Sequence, residues 1–209
     1  MARSAQAGAR AVARLEFDQF VADSADGLLR AASLITWDAA EAEDLVQECL
    51  FRVARRWPRV RKMDHPAAYA RTVLVHLALD EGKRRALRRA ELQEAAAGRI
   101  DEHEDDAAAR VLGRVEASAD LLQALGELPP RQRVALVLRY FEDLSEAEAA
   151  EAMGCSVGTV KSTTSRALER LRSAVDLPAG AIDDTGKIGT NGTSATRRDA
   201  RTNEGSITR

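Results

Sequence analysis

Thr159, Ser162 and Arg166, flanked by Lys161, Ser165 and Arg170, fall on one side of any helix that follows Ser156, because successive helical residues step round by about 100°. Guanidinium and ammonium groups interleaved with short hydroxyls suit a polyanion. The cations meet phosphate oxygens or the paired acceptors of guanine, and the short side chains allow close approach. The opposite side carries Val157, Val160, Thr164, Leu168, Leu171 and Val175 at spacings of three and four, a stripe that packs on neighbouring helices. Upstream, Ser145 stands three residues before Glu148, a capping box that opens a short Ala-rich helix. Gly154 can end that helix in a left-handed conformation. Cys155 and Ser156 then make a turn, and Ser156 can cap the next helix. The pattern over Leu128 to Arg172 is a helix-turn-helix whose second helix fits a major groove.

Little else in the chain is arranged for bond-making chemistry. The 3 histidines, His65, His76 and His103, are scattered, and the 2 cysteines, Cys49 and Cys155, have no second ligand at metal spacing. There is no nucleophile-base-acid arrangement and no phosphate-binding glycine loop, so the chain reads as no enzyme, with no metal and no cofactor. No apolar run approaches the roughly 18 residues of a membrane helix, and the expected location is the cytoplasm.

The formal net charge of −2 conceals segregation. Arg52 to Lys62 holds 6 basic residues and no acid, Lys83 to Arg89 holds 5 more, and Asp101, Glu102, Glu104, Asp105 and Asp106 form an acidic run. Phosphate neutralisation supplies most non-specific DNA affinity, so a chain with balanced charge points to delivery onto DNA by a larger partner.

With 4% aromatics and no Val/Ile/Thr alternation, the folded part is predicted to be all-α: two small helical domains joined by a flexible acidic linker, the second a helix-turn-helix domain. The expected boundaries are a loose segment 1–14, a first domain 15–92, a linker 93–117, a second domain 118–177 and a disordered tail 178–209. In the first domain Leu45, Val46, Cys49, Leu50, Val53 and Trp57 form an apolar stripe, Pro58 is expected to end that helix, and Pro66 to open the next.

The order of AAEAEDLVQECLFRVARRW, a basic loop, HPAAYARTVLVHLALDEGKRR, an acidic linker and a terminal SVGTVKSTTSRALERLR resembles the extracytoplasmic-function sigma factors of the sigma-70 family, most of all the actinobacterial type. The resemblance spans roughly Phe17 to Leu171 and implies a subunit that directs core RNA polymerase to promoters and assists their opening. Carried over by position, Asp44, Gln47, Glu48 and Arg52 would meet core polymerase. Arg59, Arg61, Lys62 and Met63, followed by Arg71, His76, Lys83 and Arg84, would meet the melted −10 element. The helix-turn-helix face described above would meet the −35 element. The implied partners are core RNA polymerase and promoter DNA, both duplex and melted strand, and the family admits an anti-sigma factor as a further one.

The chain departs from the family at Trp37, where Gly is common, at His76, where Asn is common, and at Thr163 and Thr164, where basic residues are common. His76 therefore has two readings, a base-pocket residue or a packed core side chain. The residues alone also leave open a dimeric helix-turn-helix regulator with an N-terminal sensing domain, and a polymerase-binding adaptor that reads no DNA.

Overall fold

Residues 2–95 and 119–174 are described by the computed structural model, and all their regular structure is helical. Most of the expected acidic linker, including Asp101 to Asp106, and the tail 178–209 lie outside the described residues. None of the described helices is long and apolar enough to cross a membrane.

The first half is built from three helices. Helix α1 runs over Ala2–Thr36. The segment 1–14, read from its composition as loose, is continuous with this helix from Ala2 onward, in keeping with the high helix propensity of its Ala and Arg residues. The last turns of α1 enter the core through Leu28, Ala31, Ala32, Leu34 and Ile35, and Phe17 and Phe20 pack against it from earlier turns.

Helix α2, Ala39–Val60, starts at Asp38, whose side chain accepts the Glu41 N–H at 2.9 Å. The expected stripe is its buried face: Leu45, Val46, Cys49, Val53 and Trp57 are buried and Leu50 is partly so. Pro58 does not end this helix. It sits in the last turn, where it forfeits only its own N–H, and the Arg61 N–H still reaches the Trp57 carbonyl at 3.0 Å. Phe17 and Phe20 of α1 lie 5.2 Å and 5.1 Å from the Trp57 ring, clamping the end of α2. Helix α3 spans Pro66–Ala95 and opens at its proline as expected.

The second half holds α4 (Ala119–Gly126), α5 (Pro130–Leu136) running into a π-helical turn (Val137–Phe141), α6 (Glu146–Met153) and α7 (Val157–Ala174). Val134, Val137 and Leu138 of this half are fully buried, as are Val53, Leu74 and Val75 of the first, and they belong to one continuous apolar cluster. Each such side chain contributes about 1.5–3 kcal/mol on burial, so the packing of α3 and α5 between the halves is substantial. Residues 2–95 and 119–174 thus meet along α3, which packs against both α5 and α6.

Candidate nucleic-acid and polymerase interface

The helix-turn-helix punctuation is present as read. The Ser145 hydroxyl accepts the Glu148 N–H at 3.2 Å, and the Glu148 carboxylate accepts the Ser145 N–H at 2.8 Å, completing the capping box. Gly154 adopts φ 61 and ψ 42, the left-handed cap, and the Cys155 N–H returns to the Ala150 carbonyl at 3.0 Å. Gly154 has a second reason to lack a side chain, because a Cβ there would sit 3.3 Å from Nε2 of His76. The Ser156 hydroxyl accepts the Thr159 N–H at 3.1 Å and starts α7.

Helix α7 buries Val160, Thr164, Ala167 and Leu171. The expected stripe is corrected at two places. Val157 is 40% exposed, and Ala167, absent from that stripe, is fully buried. At about 100° per residue the four buried positions span a narrow arc, and Val157 falls at its edge beside the half-buried Leu168. On the far side Ser162, Ser165 and Arg166 are exposed; Lys161 and Arg170 flank them, also exposed, and Thr159 is half-buried. Lys161 reaches Glu146 of α6 at 3.3 Å with both groups in solvent, and Arg166 and Arg170 line a shallow cleft with Gln132, Glu169 and Ser173.

On α2, Asp44, Gln47, Glu48 and Arg52 are all exposed, and Arg52 pairs with Glu48 one turn earlier at 2.7 Å. Phe51 shares this face, 57% exposed, with the Arg55 guanidinium 5.8 Å from its ring centre. Sequence reasoning passed over Phe51, although its place three and four residues after Glu48 and Gln47 puts a large apolar group on the polar side of the helix.

The loop residues Arg59, Arg61, Lys62 and Met63 are exposed, Met63 by 43%. His76 is exposed as well, so the core-packing reading does not hold. It shares a cleft of about 470 Å³ with Arg52, Arg55, Arg56, Tyr69 and Val73, and the Tyr69 hydroxyl accepts from Arg56 at 3.0 Å. Arg56 and Tyr69 were also missed, and only their α2–α3 packing brings them beside His76. Several members of the −10 set are engaged within the chain: Arg71 with Glu142 at 2.9 Å, Lys83 with Asp80 at 3.3 Å, Arg84 with Glu81 at 3.2 Å, and Arg61 with Glu16.

The titratable groups that depart from ordinary behaviour are structural. Burial pushes the Cys49 thiol up to about 12, so it stays protonated and donates to the Ala70 carbonyl at 3.2 Å. Burial also lowers Arg133 to about 10, while desolvation raises Glu41, which faces Arg85 in an ion pair. Among the described residues no group of His, Cys, Asp and Glu is placed to hold a metal ion. The basic and hydroxyl groups on α7, the basic groups of the α2–α3 loop and the acidic-amide face on α2 are exposed groups suited to recognition.

Two family models match the chain. Residues 20–89 match the model of Sigma-70 region 2, and residues 118–171 match that of Sigma-70, region 4. The RNA polymerase sigma-E factor of Streptomyces coelicolor is 36% identical over 172 residues, covering 81% of this chain and 93% of that relative. The ECF RNA polymerase sigma factor SigE of Mycolicibacterium smegmatis is 31% identical over 156 residues, covering 75% of this chain and 60% of that protein. In fold, the chain is similar to the sigma factor RpoE from Bartonella quintana, solved in complex with the anti-sigma factor NepR, with a TM-score of 0.60, 23% identity, and coverage of 78% of this chain and 98% of that one. The chain belongs to the extracytoplasmic-function sigma factors of the sigma-70 family, non-catalytic initiation factors that direct RNA polymerase to promoters.

Proposed function

We propose that the chain divides this work between three surfaces. The exposed side of α7, with Thr159, Lys161, Ser162, Ser165, Arg166 and Arg170, reads the −35 element from the major groove. The observation that carries this is the pairing of a capped α7 start with an exposed face of short hydroxyls and cations directly opposite the buried arc of Val160, Thr164, Ala167 and Leu171. Arg59, Arg61, Lys62 and Met63 with Arg71, His76, Lys83 and Arg84 hold the melted −10 strand, cations tracking phosphates and flat groups stacking with bases. Asp44, Gln47, Glu48 and Arg52, joined by Phe51, dock on core polymerase. An anti-sigma protein is a natural antagonist, since one is bound to the structurally similar RpoE. The work is cytoplasmic, where the polymerase is.

Run-off transcription on a random-promoter library, using core polymerase of Streptomyces coelicolor, tests this reading. Enrichment of one −35/−10 pair with the chain, and none with core alone, is the expected result. Transcription independent of promoter sequence would contradict it.

A further inference from the structure

Arg166 and Arg170 stand one turn apart on α7, both exposed, and among the described residues neither guanidinium has an ion pair or a hydrogen bond. Both line a cleft of about 420 Å³ between α7 and α5, whose other walls are Gln132, Glu169, Ser173 and Ala174. The same cleft holds an acceptor in want of a donor. Gln132 lies in the first turn of α5, half-buried, and its Oε1 is buried with no hydrogen-bond partner among the described residues. A buried amide oxygen left unpaired is destabilising, because it has lost water and gained nothing in exchange. The Gln132 backbone is fixed by its N–H on the Pro129 carbonyl at 2.9 Å, so a donor has to come to the side chain from across the cleft.

Few donors are there. Ser173 commits its hydroxyl proton to the Glu169 carbonyl at 2.9 Å, and the Glu169 carboxylate only accepts. Glu169 is the rival acceptor, yet it pairs with neither arginine. The two guanidinium groups are what remains. On the α7 wall Arg166, Glu169, Ser173 and Ala174 are all within one turn of Arg170, so the cleft is centred on Arg170 and Arg166 stands at its edge. Arg170 also lies about 6 Å further along the helix than Arg166, at 1.5 Å per residue. A recognition helix lays its N-terminal residues against base edges, and the later position faces the sugar–phosphate rim of the groove.

A guanidinium carries five N–H groups in a rigid fork, so it can give one to an amide oxygen while others hold a phosphate. In the free chain the Arg170 head stays in water, since fixing so long a side chain in one rotamer costs entropy. A phosphate at the groove rim supplies that order, and the inward N–H is then free to meet Oε1. We propose that Gln132 is a positioning residue for the −35 contact: its Oε1 takes an N–H of Arg170 when DNA is bound and holds that guanidinium on a backbone phosphate. This rests on the −35 reading of α7 above.

The test is a double-mutant cycle on holoenzyme assembled from the full-length chain and Streptomyces coelicolor core polymerase, with the promoter duplex enriched in the run-off library as the probe. Gln132→Met keeps the side-chain length and removes the amide; it is made alone and together with Arg170→Ala or Arg166→Ala. Alone it is expected to weaken duplex binding about two- to tenfold, equally for every −35 sequence, with the melting temperature of the free chain unchanged or raised because an unpaired buried oxygen has gone. Added to Arg170→Ala it should lower affinity no further, whereas added to Arg166→Ala its full effect should appear. Unchanged affinity in Gln132→Met, additivity with Arg170→Ala, or a loss of affinity accompanied by a lower melting temperature would each overturn the proposal. If instead the affinity of the native holoenzyme did not depend on the −35 sequence, the −35 reading itself would fail, and the role of Gln132 with it.

Discussion

The two helices proposed to face DNA differ in readiness. On α7 the exposed groups stand in solvent, and the only ion pair at this face is that of Lys161 with Glu146 among the described residues. On α3, Arg71 is tied to Glu142 of the other half, Lys83 and Arg84 to acids on their own helix, and His76 lies against the turn at Gly154. On the proposed assignment, the −35 surface is preformed, whereas the −10 surface would be assembled when its internal partners are exchanged for nucleic acid and polymerase. This division suits a subunit of balanced charge, whose isolated affinity for DNA is expected to be low.

The comparison breaks most visibly in the core. Leu74 of α3 and Leu138 of the π-helical turn are both fully buried in the same apolar cluster. Truncation of either to Ala is expected to cost about 2–5 kcal/mol. Because the halves share that cluster, calorimetry should show one melting transition displaced by both variants; two transitions, each moved by one variant only, would separate the halves.

The next effect lies on α7. Arg166→Ala should lose about 1–3 kcal/mol at a single −35 position if its guanidinium reads a guanine. Lys161→Ala should weaken all promoters alike and reduce the salt slope by about one. A promoter library that returns the same profile for both variants would remove the distinction between base and phosphate contacts on this face.

On α3 the expected changes are smaller and opposite in sign. Glu142→Ala releases Arg71 and should strengthen binding of holoenzyme to a single-stranded −10 oligonucleotide, whereas Arg71→Ala should weaken it, each by about 0.2–1 kcal/mol for a pair whose side chains are 26% and 21% exposed. Equal losses in the two variants would mean that the pair is purely structural.

An effect of similar size lies at the start of α6. Ser145→Ala should cost about 1 kcal/mol of stability. Hydrogen bonding to Ser145, through its hydroxyl and its backbone N–H, holds the Glu148 carboxyl below its ordinary value of 4.5. A depressed carboxyl stabilises the fold above its ordinary range and loses that contribution as pH falls through the lowered value. Melting temperature followed against pH should therefore fall more steeply on acidification in the native chain than in Glu148→Gln.

What was legible in the sequence was what is local. The capping box, the Gly154 stop, the Ser156 cap and the α2 stripe each depend on neighbours within a few residues, and each is where the pattern put it. Val157 and Ala167 were misjudged because spacings of three and four admit a broad stripe, while contact with α5 and α6 selects a narrower arc. Pro58 was given too much weight, since a proline in a last turn removes one donor without unwinding the helix. Arg133 could not be read at all. Between a diproline and an apolar run it looks like a solvated charge, and its burial exists only because the ends of α1 and α4, remote in sequence, meet around it. Trp37 stood out as a departure, but its partner Gly126 lies across the fold.

The central claim, a ready −35 surface and a −10 surface that waits for polymerase, is tested most directly by footprinting one promoter duplex at fixed salt with the chain alone, with core alone and with both. Nuclease protection reports −35 contact and permanganate reactivity reports unpaired −10 thymines. The account expects weak protection and no reactivity with the chain alone, and both signals only when chain and core are combined. Tight, specific protection by the isolated chain, undiminished when core is omitted, would contradict it and favour a freestanding regulator.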